Sequence, residues 1–179
     1  LLQHLMRLIF YLQEIIMKPF IITVTGKSGS GKTTLIEKLI VHYTSESKKI
    51  SVIKNMRHDF HTDPEGKDTF RYRQSGAFSS IITNGKKFAL ISEIDDESDP
   101  LALAKKYFSG SDIIIIEGFK EGNVPKIEVI GDSDEPPLFL TDKNIQMLVT
   151  DRSFTTDIPV FKRNDIELIK EAIENIFYK

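Results

Sequence analysis

The sequence predicts an α/β fold of the P-loop NTPase kind: a mostly parallel sheet flanked by helices, with one inserted β-hairpin. Three observations predict it. Gly26-Lys27-Ser28-Gly29-Ser30-Gly31-Lys32-Thr33 fits the spacing G-x-x-x-x-G-K-[ST], between an apolar β-branched run and an amphipathic helix pattern. Short apolar runs then alternate with helical patterns, which calls for parallel strands joined by crossover helices. Ile113-Ile114-Ile115-Ile116 has no polar member, the mark of a strand covered on both faces.

Taken in order, residues 20–25 read as the first, buried strand and 32–46 as the helix after the loop, with Leu35, Ile36, Leu39, Ile40 and Tyr43 on its apolar face. Lys49 to Lys54 is a second strand. Residues 55–68 are polar, with Pro64 and Gly66, and read as a functional loop. Thr69 to Ser75 is a short helix ended by Gly76. Ser79 to Thr83 and Lys87 to Ser92 flank Asn84-Gly85, a strong hairpin signal. Glu93 to Asp99 holds five acids and suits a solvated connection. Pro100 can start a helix from Leu101 to Phe108. Lys126 to Ile130 alternates like a strand, Asp132 to Pro137 is a loop, and Ile145 to Thr150 is another buried strand. Val160-Phe161 is a last short strand. Asn164 or Asp165 can cap a final helix whose apolar face is Ile166, Ile169, Ile173, Ile176 and Phe177.

The chemistry of the glycine-rich loop follows from its residue types. Gly26, Gly29 and Gly31 let the backbone turn tightly and approach phosphate oxygens. Ser28, Ser30 and Thr34 extend the cradle of N–H donors, and the helix N-terminus adds partial positive charge. Lys32 can reach the outer phosphates, and the Thr33 hydroxyl is placed to ligate Mg²⁺. A phosphorylated nucleotide is the expected ligand.

At 179 residues the size suits about one domain. Residues 17–179 are taken as that domain, and 1–16 as an extension ahead of Met17. The extension's apolar part is too short to span a bilayer and lacks a secretory signal's layout. A net charge of −2 offers no global basic field for nucleic acid. No cysteine is present, which excludes disulfides and thiolate chemistry and fits a cytoplasmic setting.

Further groups fall where strands end at their carboxyl edge, the ligand edge of such sheets. Glu117 closes the isoleucine run and stands where a Walker B acid belongs, holding Mg²⁺ or polarising a water. The segment Lys54 to Arg71 carries four cations, two histidines and four acids. Its cations Lys54, Arg57 and Lys67 suit a phosphorylated second ligand, and Asp59, Asp63 and Asp68 suit a divalent ion. Asp151 ends a late strand. It either reads guanine, accepting from N1–H and N2–H₂, or caps a turn. Lys27 is either a lysine acting across a dimer interface or a solvated one. Phe78, Ile81, Ile82, Phe88, Leu90 and Ile91, around the hairpin, form either an intersubunit surface or part of the core.

These residues together resemble the MobB family, the molybdopterin-guanine dinucleotide biosynthesis adaptor proteins. The resemblance is carried by the P-loop, the strand ending in Lys54, and Gly66-Lys67-Asp68-Thr69 with Arg71 and Ser75-Gly76-Ala77. It continues in Glu117-Gly118-Phe119-Lys120, followed by Lys126-Ile127-Glu128-Val129. It runs from about Phe20 to the C-terminus. It implies a GTP-binding protein with weak hydrolysis and Mg²⁺, a homodimer, and a guanylyltransferase partner (MobA) that attaches GMP to molybdopterin. It also implies that Lys32 and Glu117 act in catalysis, that Lys54, Gly66, Lys67, Asp68 and Arg71 form a second-loop site, and that Gly118 and Lys120 belong to a functional segment. The family's histidine-rich segment is altered here. Asn55 and Arg57 stand where histidines are expected, and only His58 matches.

A small-molecule kinase using ATP is the alternative reading of length and P-loop. Such enzymes close an arginine-rich lid over the phosphates. The stretch 93–110 is acidic, with only Lys105 and Lys106 as bases, which disfavours it.

Overall fold

The structure is a computed structural model that describes residues 19–56, 58–60, 64–94 and 99–177. The proposed extension 1–16 therefore lies outside the described residues, as do Arg57 and Asp63. The chain falls into two compact units, one of residues 1–56 and 100–179 and one of residues 57–99.

The larger unit holds a six-stranded sheet in the order β2-β5-β1-β6-β7-β8. Its strands are β1 (Phe20–Thr25), β2 (Ile50–Lys54), β5 (Ile113–Glu117), β6 (Lys126–Val129), β7 (Ile145–Val149) and β8 (Val160–Phe161). Every pairing is parallel. All carboxyl edges therefore face one way, and β1 sits centrally between β5 and β6. Helices α1 (Lys32–Ser45), α3 (Pro100–Tyr107) and α4 (Ile166–Phe177) cover the sheet.

The two faces sort by residue parity, as the period-2 pleat requires. Ile22, Val24, Ile113, Ile115, Ile127, Val129, Met147 and Val149 pack with Leu35, Ile36, Leu39 and Tyr43 of α1 and Ile169 and Ile173 of α4. Burying each such side chain stabilises the fold by roughly 1.5–3 kcal/mol. On the other face Ile114 and Ile116 pack with Ala104 of α3, and Ile130, Ile145 and Leu148 pack with Phe139, Phe154 and Ile158. Both faces of β5 are thus dry, as its isoleucine run predicts.

Strand β6 departs from a plain reading of its alternation. Its polar residues do not face water: Lys126 and Glu128 are each only 1% exposed. The stretches on either side of β6 supply their partners. Lys126 Nζ donates to Asp142 Oδ2 at 2.7 Å and to Lys120 O at 2.9 Å. The Glu128 carboxylate accepts the N–H groups of Leu138 and Phe139 at 2.7 and 2.8 Å. Leu138–Leu140 is a short 3₁₀ turn.

The smaller unit is α2 (Asp68–Gln74) followed by the antiparallel hairpin of β3 (Ser79–Thr83) and β4 (Phe88–Ser92). Asn84 Oδ1 accepts the N–H groups of Lys86 and Lys87, and Gly85 takes φ 81°, so the Asn-Gly pair makes the predicted turn. Phe78, Ile81, Ile82 and Phe88 are all more than half exposed, while Leu90 and Ile91 are half-buried. The first four are therefore not core residues of this chain.

Candidate nucleotide-binding site

β1 ends at Thr25 and α1 begins at Lys32, so six residues turn the chain at the sheet's carboxyl edge. Gly26 has φ 142°, and a Cβ there would fall 2.3 Å from Val129 O, so no side chain fits. Gly31 is the N-cap of α1 in the left-handed region, at φ 97°, and supplies no side-chain cap. The first-turn N–H groups of α1, which have no intrahelical acceptor, are left for an outside anion. Ser30 is buried, and among the described residues its hydroxyl has no hydrogen-bond partner. Ser28, Gly29, Thr33 and Thr34 are exposed along the rim.

Lys32 folds over this loop. Its Nζ donates to Lys27 O at 2.7 Å and to Gly26 O at 3.3 Å. Burial pushes the ammonium below its ordinary value, Glu117 opposes that shift, and Lys120 and Lys54 reinforce it. Glu117 ends β5 in register with Val24 of β1 and Lys54 of β2, so the carboxyl edge brings Glu117 and Lys54 beside the loop that Lys32 follows. The cradle fits a nucleotide's phosphates on two grounds: Gly26 has no space for a side chain while Gly29 and Gly31 hold left-handed backbone, and the uncapped donors lie beside Lys32. Thr33 and Glu117 are oxygen donors of the type Mg²⁺ takes.

The Glu117-Gly118-Phe119-Lys120 segment is shaped by close contacts. Gly118 takes φ 98°, and a Cβ there would sit 2.7 Å from Asn55 O. Phe119 is itself left-handed at φ 46° and packs against the Ile114–Ile116 cluster. Gly122 lies under its ring, where a Cβ would meet Cε1 at 2.3 Å. Lys27, the second residue of the loop, ion-pairs with Glu135 at 2.7 Å. Within its own chain its partner is this exposed carboxylate.

The described sequence matches a family model, Molybdopterin guanine dinucleotide synthesis protein B (MobB), over residues 21–151. The chain belongs to the MobB family. It is 33% identical over 153 residues to the molybdopterin-guanine dinucleotide biosynthesis adapter protein of Haemophilus influenzae, spanning 85% of this chain and 86% of that protein. The Escherichia coli adapter protein is 30% identical over 151 residues, 82% and 86% of the two chains. Among solved structures, a crystal structure of molybdopterin-guanine biosynthesis protein B (mobB) superposes with a TM-score of 0.70 at 26% identity, covering 87% of this chain and 99% of the other. The Bacillus subtilis MobB structure shares the fold, with a TM-score of 0.69.

Against this MobB framework the predicted residues divide. Gly26 to Thr34, Lys54, Glu117 and Lys120 lie together in the larger unit. Lys67, Asp68 and Arg71 lie in the smaller unit, where Lys67 precedes α2 and Arg71 Nη1 is 4.0 Å from Asp68 Oδ1. Among the described residues no cluster of three His, Asp or Glu side chains is poised to hold a metal. Asp151 follows β7 and is exposed. Its Oδ1 accepts the Arg163 N–H at 3.3 Å, and its backbone O accepts Lys162 Nζ at 2.9 Å. Sequence reasoning singled out neither Arg163 nor Glu135. Arg163 was findable, because it follows the carboxyl end of the last strand. Glu135 carried no local signal.

Among the described residues no helix is long and apolar enough to cross a membrane.

Proposed function

We propose that this MobB-family chain binds GTP with Mg²⁺ and hydrolyses it slowly. We further propose that it serves as an adapter in molybdopterin-guanine dinucleotide biosynthesis, assisting a MobA-like guanylyltransferase in the cytoplasm. The observation that carries the reading is the cradle itself, with the side-chain-free turn at Gly26, uncapped α1 and Lys32 beside Glu117. The names of its relatives supply the pathway.

In this reading the loop N–H groups and Lys32 bind the phosphates, and Thr33 and Glu117 hold the metal, which neutralises phosphate charge when bound. Glu117 also orients the attacking water. Phosphoryl transfer to water needs a cradle, a metal and a positioned water, and a further cation at the transferring group adds about 10³–10⁵ in rate. No arginine lies within the loop, so slow turnover is the expectation until a partner completes the site. Molybdopterin, a phosphorylated pterin, is assigned to the segment holding Lys67 and Arg71. A homodimer through the exposed hairpin residues Ile81, Ile82 and Phe88 follows from the rarity of such apolar patches on monomers.

The test is a calorimetric titration with GTP, ATP and molybdopterin, each with Mg²⁺. Selective GTP binding, and a separate molybdopterin site lost in Lys67→Ala, are the expected results. Preference for ATP with transfer of phosphate to an acceptor would replace this reading with a small-molecule kinase.

A further inference from the structure

Arg163 spans three strand ends. It follows β8, and its Nη2 donates to Ile130 O, just past β6, at 2.8 Å. Its Nε is buried, makes no hydrogen bond within the chain, and lies 3.5 Å from Asp151 Oδ2, past β7. Its backbone N–H donates to Asp151 Oδ1. Its Nη1 lies 3.9 Å from where a Cβ on Gly31 would be, so the guanidinium lies beside the phosphate loop. One residue therefore contacts both carboxylate oxygens of Asp151 and lies near the glycine that caps α1. The Asp151 side chain remains 59% exposed, so its outer edge is open to a ligand. A carboxylate on an exposed turn has free torsions, and both contacts fall on the edge facing Arg163.

We infer that Arg163 is a positioning residue for base recognition: it holds the Asp151 carboxylate at a set distance from the phosphate loop, so that a guanine N1–H and N2–H₂ edge meets it while the phosphates occupy the cradle. This rests on the reading of Asp151 as the guanine acceptor. Two features follow from the geometry. The planar guanidinium can bond Ile130 O and face Asp151 at once, which a lysine ammonium, a point donor, does less well. And Arg163 needs no contact of its own with the base, so its effect on specificity must run through Asp151.

The experiment measures the affinities of GTP, ITP and ATP with Mg²⁺ by fluorescence competition. It uses the full chain, Asp151→Asn, Arg163→Ala, Arg163→Lys and the double variant Asp151→Asn/Arg163→Ala. The unmodified chain is expected to prefer GTP over ITP, which lacks the 2-amino group, and over ATP. Arg163→Ala should lower the GTP-over-ATP ratio by about tenfold, the worth of one hydrogen bond to a charged group. ATP affinity should fall far less than GTP affinity, and Arg163→Lys should recover part of the ratio. In the Asp151→Asn background, Arg163→Ala should lower the ratio no further.

If Arg163→Ala keeps the ratio, or weakens GTP and ATP equally, the inference is overturned while guanine reading by Asp151 stands. If Asp151→Asn keeps the preference, the Asp151 reading fails and the inference fails with it. Equal GTP and ATP binding by the unmodified chain would overturn the proposed nucleotide specificity itself.

Discussion

Asp142→Ala should be among the most damaging substitutions outside the phosphate cradle. Lys126 is 1% exposed, and its ammonium has two acceptors, Asp142 Oδ2 at 2.7 Å and Lys120 O at 2.9 Å. Removing the carboxylate leaves a buried charge with one neutral acceptor, a change that costs about 3–5 kcal/mol. For a chain of this size the loss corresponds to a Tm lower by roughly 6–20 °C. Lys126→Met removes the charge and keeps the stem, while Asp142, partly exposed, can rehydrate. Lys126→Met/Asp142→Ala should therefore be more stable than Asp142→Ala alone.

The pH dependence carries the same logic. In the unmodified chain Asp142 is pushed up by desolvation but held below its ordinary 3.8, on balance, by Lys126 and the Asn144 N–H. Its contribution is present above that value and is lost as pH falls through the folded pKa. Urea unfolding from about pH 7 down through about pH 3 reads this loss together with the difference between the variants. A variant within 1 kcal/mol of the parent, or a double variant weaker than Asp142→Ala, would refute the reasoning.

Three further outcomes are expected. Lys32→Met should abolish triphosphate binding in a fluorescence titration yet leave the unliganded chain about as stable as before. The substitution removes a desolvated ammonium as well as two loop hydrogen bonds, and the parent's own stability should rise slightly as pH approaches 10.5 from below, because its folded-state Lys32 releases the proton first. Desolvation raises the Glu128 carboxyl above its ordinary 4.5 against the pull of the Leu138 and Phe139 N–H groups. The folded state therefore binds more protons than the unfolded one just above 4.5, stability falls with rising pH in that window, and Glu128→Gln should flatten the slope in acid–urea titrations. Ile82→Glu with Phe88→Glu should reduce self-association in sedimentation without shifting the unfolding midpoint of the dissociated chain by more than about 0.5 kcal/mol, because both side chains are exposed.

The sequence by itself determined those features whose physics is local. Gly26 to Thr33 is legible because a loop that brings backbone donors to phosphate needs glycines at set spacings and a lysine at its end. β5 is legible because only a strand dry on both faces tolerates four isoleucines in a row. Asn84-Gly85 announces its hairpin because few residue pairs adopt that turn cheaply. Only the tertiary structure decided what depends on partners far along the chain. Lys126 and Glu128 read as the solvated side of an alternating strand. They are buried, because residues 138–142 return with a carboxylate and two N–H groups that satisfy them. Lys27 is ion-paired with Glu135, more than a hundred residues later, a partner that nothing near Lys27 announces. Asp151 and Arg163 are twelve residues apart and meet only because β7 and β8 lie side by side. Hydrophobic period and backbone conformation are written in neighbouring residues, whereas the partner of a buried charge is chosen by which strand ends the sheet brings together.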